Sequence, residues 1–129
     1  MEKKIRVVIA DDMEETRKSL KVMLSFASDL EVVGEASDGE EALKMVRELK
    51  PDVVLMDINM PNVDGISVSK RLLQEDPDIA IVAISIQGDE EYERALEEMG
   101  VEEFLVKPFS SSRLIETIRE VVQRREKKE

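Results

Sequence analysis

Val53-Val54-Leu55-Met56-Asp57 decides the fold. Four consecutive apolar residues without polar alternation suit a short strand buried on both faces, as in a parallel sheet, and the run stops at a carboxylate. Two other runs read the same way: Ile5–Ala10, which stops at Asp11-Asp12, and residues 79–85, which end in Ser85. Weaker aliphatic runs at residues 31–36 and Glu103–Val106 bring the strands to five.

The segments between them carry helical spacing. Thr16, Leu20, Met23 and Leu24 form one stripe, and Ala42, Val46 and Leu49 a second. Ile66, Leu72 and Leu73 suggest a third helix, Tyr92, Ala95, Leu96 and Met99 a fourth, and Leu114, Ile118, Val121 and Val122 a fifth. Asp12 with Glu15, and Asp38 with Glu41, predict capping arrangements for the first two helices; Asp89 and Ser111 are candidate caps for the last two. Gly65 is expected to open the third helix, and Met56, Met60 and Met99 to fill the core. The pattern predicts an α/β fold: a doubly wound (βα)5 three-layer sandwich with right-handed crossovers. Residues 1–129 read as one domain, with a core over residues 5–122 and a charged helix end at 123–129 that would also suit the stub of a longer protein.

Composition narrows the chemistry. The 129 residues include 30 Asp or Glu, 19 Lys or Arg and no His or Cys, for a net charge of −11. Without Cys there is no disulfide or thiolate zinc site; without His the usual neutral-pH base and the commonest transition-metal ligand are gone. The negative charge disfavours direct nucleic-acid binding, and 3% aromatics leave no base-stacking platform. No apolar run reaches the length of a signal-peptide core or a membrane span, so the chain is expected in the cytoplasm.

In a doubly wound sheet, ligands bind beyond the carboxyl ends of the strands. Strand one ends in Asp11-Asp12, strand three in Asp57 and strand four in Ser85, while strand five runs into Lys107. Strand two ends in the bland Ala36-Ser37. If the other four are spatial neighbours, three carboxylates converge, and at least one pKa rises unless a cation neutralises them. A hard divalent ion with oxygen ligands, Mg²⁺ above all, suits that cluster. Cation, ammonium and hydroxyl together are the set that binds a phosphoryl group on a carboxylate oxygen. A single strand-end Asp is explained as well by helix capping; the whole set is not, because converging like charges cost stability.

Asp11-Asp12, the stretch Asp57-Ile58-Asn59-Met60-Pro61-Asn62-Val63-Asp64-Gly65, Ser85 and Lys107-Pro108-Phe109 together resemble the signature of bacterial two-component response-regulator receiver domains, the single-domain chemotaxis response regulator among them. The resemblance runs over nearly the whole chain and implies a flavodoxin-like parallel sheet in the order 2-1-3-4-5. It implies that Asp57 accepts a phosphoryl group from a phosphohistidine on a sensor histidine kinase or phosphotransfer protein. Asp12 would bind Mg²⁺ directly and Asp11 through a water, with Asp57 and the backbone carbonyl of Asn59 completing the protein ligands. Lys107 would pair with a phosphoryl oxygen. Ser85 would be drawn toward the phosphoryl group, and Phe104 would swing inward behind it. The family has a cis bond at the position of Lys107-Pro108. Its usual dimer and output surface is helix four, strand five and helix five, where Arg94, Glu97, Arg113 and Arg119 are charged candidates for a phosphorylation-dependent homodimer; ordinary solvation explains those charges equally well. Lacking His, the chain cannot be its own phosphohistidine donor, and it is expected to catalyse nothing beyond its own phosphorylation and dephosphorylation.

One residue departs from the family pattern. The position after the switch Ser is usually small, and here it is Ile86. Its bulk at the pocket edge is expected to slow small phosphodonors and hydrolytic water, unless the side chain packs under helix four instead. Phe104 likewise reads as a simple core or surface aromatic apart from the resemblance. Two other functions compete: a pseudo-receiver scaffold that never carries phosphate, and a haloacid-dehalogenase-type phosphohydrolase. The second wants Asp-x-Asp after the first strand, where this chain has Met13. A nucleotide-binding module lacks both its phosphate loop and Gly-x-Gly-x-x-Gly.

Overall fold

The computed structural model describes residues 3–59, 64–86 and 90–128. Strands and helices alternate: β1 (Ile5–Ala10), α1 (Glu14–Leu24), β2 (Leu30–Ala36), α2 (Gly39–Leu49), β3 (Val53–Asp57), α3 (Gly65–Glu75), β4 (Ala80–Ser85), α4 (Glu90–Met99), β5 (Glu103–Val106) and α5 (Ser111–Lys128). All strand pairs are parallel, in the order β2-β1-β3-β4-β5. The three apolar runs sit where burial on both faces is needed: every residue of β3 and β4 is buried, and so are the last four of β1. The edges fall to β2 and β5, whose Glu31, Glu35 and Glu103 interrupt the apolar pattern.

Strand alternation divides the interior into two cores. Val7, Ile9, Val53, Leu55, Val82 and Ile84 pack with Leu20 and Leu24 of α1 and Leu114 and Ile118 of α5. Val8, Ala10, Val54, Met56, Ile81 and Ala83 face the other way, against α2, α3 and α4 through Val46, Leu72 and Leu96. The sheet order reverses between β1 and β3, and at their carboxyl ends lie Asp11 and Asp57.

Local signals differ from expectation by single residues. β2 begins at Leu30 and β4 at Ala80. Asp12 does not cap α1: the cap position is Met13, with no side-chain bond, and Asp11 Oδ1 instead accepts the Met13 N–H at 2.8 Å. The turn out of β1 is thus closed by the first Asp of the pair. Asp38 caps α2 as expected, accepting the Glu41 N–H at 2.8 Å, but Glu41 returns its bond to the Ser37 N–H, one residue earlier than a capping box requires. Ser111 is already helical; Ser110 Oγ accepts the Arg113 N–H at 3.0 Å and serves as the α5 cap. The suggested cap Asp89 and core residue Met60 lie outside the described residues. Leu43, absent from the expected α2 stripe, is buried with it. Among the described residues no helix is long and apolar enough to cross a membrane.

Candidate functional site

Asp57 ends β3, between β1 and β4. Its side chain is nearly buried; Oδ1 accepts the Asn59 N–H at 2.8 Å, and Oδ2 lies 3.8 Å from Lys107 Nζ. Lys107 is brought there by backbone pairing: its N–H donates to the Ser85 carbonyl at 2.9 Å, extending the β4–β5 ladder by one step. The Lys107-Pro108 bond that follows is cis.

Asp11 continues the β1–β2 ladder, donating its N–H to the Ala36 carbonyl at 2.9 Å, and is 1% exposed. Its own carbonyl accepts from the Arg17 guanidinium at 2.7 Å, and that guanidinium pairs with Glu35 at 3.2 Å, tying α1 to the strand end. Lys21 joins the same Glu35 at 2.7 Å and, with Arg17, holds its carboxyl below the usual range. Asp12 is exposed. One carboxylate oxygen from each of Asp11, Asp12 and Asp57 lies within 4.8 Å of the others.

The electrostatic strain of that convergence falls on Asp11. Burial, the largest cause, and the neighbouring Asp57 charge push its carboxyl from 3.8 up to about 6, against the Met13 N–H and Lys107, which pull it down. Asp11 Oδ2 is buried with no hydrogen-bond partner among the described residues. An orphaned Asp11 oxygen beside two more carboxylates, with one ammonium 3.8 Å from Asp57, is an all-oxygen donor set that fits Mg²⁺.

Ser85 ends β4 almost fully buried, and its hydroxyl donates to Glu93 Oε1 of α4 at 3.1 Å. The Ile86 N–H donates to the Asn59 side-chain Oδ1 at 2.9 Å. Ile86 is 60% exposed. Together with Ile58, Asn59, Ser85, Tyr92 and Glu93 it lines a cavity of about 150 Å³. Phe104 pairs with Ala83 in the β4–β5 register and packs half-buried on the core shared with α2, α3 and α4. Arg94, Glu97 and Arg113 are exposed. Arg119 is exposed as well, and its guanidinium grips Asp29, in the turn before β2, through two bonds of 2.8 and 2.9 Å.

The expected residues Asp11, Asp12, Asp57 and Lys107 thus meet at one place, with Ser85 at the adjoining strand end but bonded toward α4. Sequence reasoning missed the Asn59 amide, considered only for its backbone carbonyl, and Glu93. Nothing in the sequence distinguishes Glu93 from the other first-turn acids Glu90 and Glu91.

Residues 7–119 match the family described as the response regulator receiver domain. The chain is 40% identical over 116 residues to the chemotaxis protein CheY of Thermotoga maritima, covering 90% of this chain and 96% of that protein. It is 38% identical over 122 residues to the transcriptional regulatory protein DegU of Brevibacillus brevis, covering 95% of this chain and 52% of that protein. The response regulator domain of Thermotoga maritima CheB superposes with a TM-score of 0.85 at 33% identity, covering 94% of this chain and 98% of that one. Relative to DegU and the GacA response regulators, the chain spans about half the length of the curated relatives it matches. The family match takes in every strand end that bears a polar group, from Asp11 to Lys107, and the sheet order agrees with it; the chain belongs to the response regulator receiver domains, the modules of phosphorylation-based two-component signalling.

Proposed function

We propose that Asp57 accepts a phosphoryl group from a phosphohistidine on a sensor histidine kinase or phosphotransfer protein, within a receiver unit spanning residues 5–122. The observation that carries this reading is the nearly buried Asp57 carboxylate facing Lys107 at 3.8 Å, with two further carboxylates within 4.8 Å. The Asn59 N–H ties Oδ1 and fixes the carboxylate plane, so Oδ2, the oxygen on the Lys107 side, is the nucleophile. Oδ2 forms a bond to phosphorus as the donor's N–P bond breaks. The electron pair of that bond stays on the imidazole, which leaves neutral because its other nitrogen carries a proton. Lys107 meets the charge on one equatorial oxygen, and the Ser85 hydroxyl donates to another.

Asp12, Asp11 through a water, Asp57 and the Asn59 carbonyl are the groups that would hold Mg²⁺, whose charge, when bound, offsets the crowded carboxylates and phosphoryl oxygens. Phe104, which stands opposite Ala83 in the β4–β5 register, follows Ser85 inward. The output surface is α4, β5 and α5, with exposed Arg94, Glu97 and Arg113 available to a phosphorylation-dependent second copy.

Phosphoramidate shares the donor's N–P bond and tests the reaction without a kinase. With Mg²⁺ present, the intact mass is expected to rise by one phosphoryl group, and chelation by EDTA is expected to abolish the rise. An equal mass shift with and without EDTA would contradict the metal requirement.

A further inference from the structure

We propose that Glu93 is a positioning residue for the phosphoryl reaction: its carboxylate holds the Ser85 hydroxyl toward α4 in the resting chain and must release it before a phosphoryl group is bound. The inference rests on the reading of Asp57 as phosphoacceptor and adds the group that opposes it. The Ser85 hydroxyl is almost fully buried, and its bond to Glu93 Oε1 is 3.1 Å long. A hydroxyl has one proton to donate, and both a carboxylate and a phosphoryl oxygen are acceptors only. The bond to Glu93 and a bond to the phosphoryl group therefore exclude each other. Glu93 adds a negative charge on the same cavity, so binding an anion beside Ser85 is opposed by repulsion as well as by the lost bond.

The same contact determines where release is felt. Glu93 belongs to the start of α4, one residue after Tyr92, whose hydroxyl packs so close to Gly65 that an added Cβ there would approach it to 2.8 Å. Three residues beyond Glu93, Leu96 is fully buried in the core beneath α4. The opening turn of α4 is thus braced at β4 through Glu93 and at α3 through Tyr92. Loss of the Glu93 brace frees one of the two, on the element proposed for output. Coupling of this kind is reciprocal: what weakens the Ser85–Glu93 bond favours the phosphoryl-bound state to the same degree.

Calorimetric titration with beryllofluoride, a phosphoryl mimic, at saturating Mg²⁺ tests the inference on four forms of the 129-residue chain: wild type, Glu93→Ala, Ser85→Ala and the double variant. A charge-assisted hydrogen bond predicts that Glu93→Ala tightens binding about tenfold when Ser85 is present. In the Ser85→Ala background the same substitution is expected to change affinity less than about twofold. Equal tightening in both backgrounds would mean that only charge was removed and would overturn the positioning role, as would no tightening in either. Failure of the wild type itself to bind beryllofluoride would instead overturn the phosphoacceptor reading and the inference with it.

Discussion

Asp11→Asn is expected to stabilise the metal-free chain by on the order of 1–2 kcal/mol above pH 7 while weakening Mg²⁺ binding at least tenfold. The stability figure follows from a carboxyl raised from 3.8 to about 6 in the folded chain. Each pKa unit between folded and unfolded states is worth at most about 1.4 kcal/mol, and solvent screening and the shared titration with Asp57 reduce what is realised. The folded chain holds this proton more tightly than the unfolded one, so the group's contribution to stability is complete below pH 4. It is lost as pH rises through 6 and is flat beyond. Asn is uncharged throughout, so the advantage of the variant should appear between pH 4 and 6 and vanish below. Denaturant melts of both proteins at pH 4, 6 and 8 without divalent ions measure it. The metal effect has a different origin: removing a carboxylate that orients a coordinated water typically costs ten- to a hundredfold in affinity. A variant that is no more stable at pH 8 than at pH 4, relative to wild type, would remove the case for a strained Asp11.

Ile86→Ala is expected to speed both phosphorylation by small donors and loss of phosphate by about tenfold or more. Ile carries three more carbons than Ala at the rim of a 150 Å³ cavity shared with Ser85. Hydrolysis requires a water in line with the Asp57 Oδ2–P bond; it forms a new O–P bond as that one breaks, returning the carboxylate and releasing inorganic phosphate. A displacement of about 1 Å in such an alignment costs on the order of a hundredfold. The 60% exposure of Ile86 suits this role, since a side chain at the rim shields the pocket without being fixed in the core. Its backbone stays fixed by the Asn59 amide, so the substitution leaves the loop anchor in place. A protein donor offsets the obstruction with binding energy from a wider interface, so the gain should be smaller for a kinase than for phosphoramidate. Equal or slower phosphate loss in Ile86→Ala, at matched Mg²⁺, would contradict the steric account.

Much of this site is legible in the sequence because it stands at the ends of strands. Burial on both faces forces β1, β3 and β4 into nearly unbroken apolar runs, so the first polar residue after each run marks the strand's carboxyl end. Asp11, Asp57 and Ser85 announce themselves that way, and parallel pairing in the order β2-β1-β3-β4-β5 brings Asp11 and Asp57 together. Helix starts were less legible, because a short polar side chain satisfies an N–H one residue away about as readily as its own cap position. Ser110 in place of Ser111, and Ser37 in place of Asp38 as the partner of Glu41, are both slips of that size. Glu93 was not legible at all. Which first-turn acid of α4 meets Ser85 depends on the rotational phase of the helix over the sheet, and three glutamates within four residues offer no local distinction. Arg119 illustrates the same dependence: its place on α5 turns it toward Asp29, a residue ninety positions away.

Transfer of a labelled phosphoryl group from a phosphohistidine donor to wild type and to Asp57→Asn tests the central claim most directly. Asn keeps the shape of Asp and an oxygen to accept the Asn59 N–H, so the variant should remain folded, as a thermal melt of each protein will check. Wild type is predicted to take up one alkali- and hydroxylamine-labile phosphoryl group per chain, and the folded variant none. The same stoichiometry in Asp57→Asn would contradict the account.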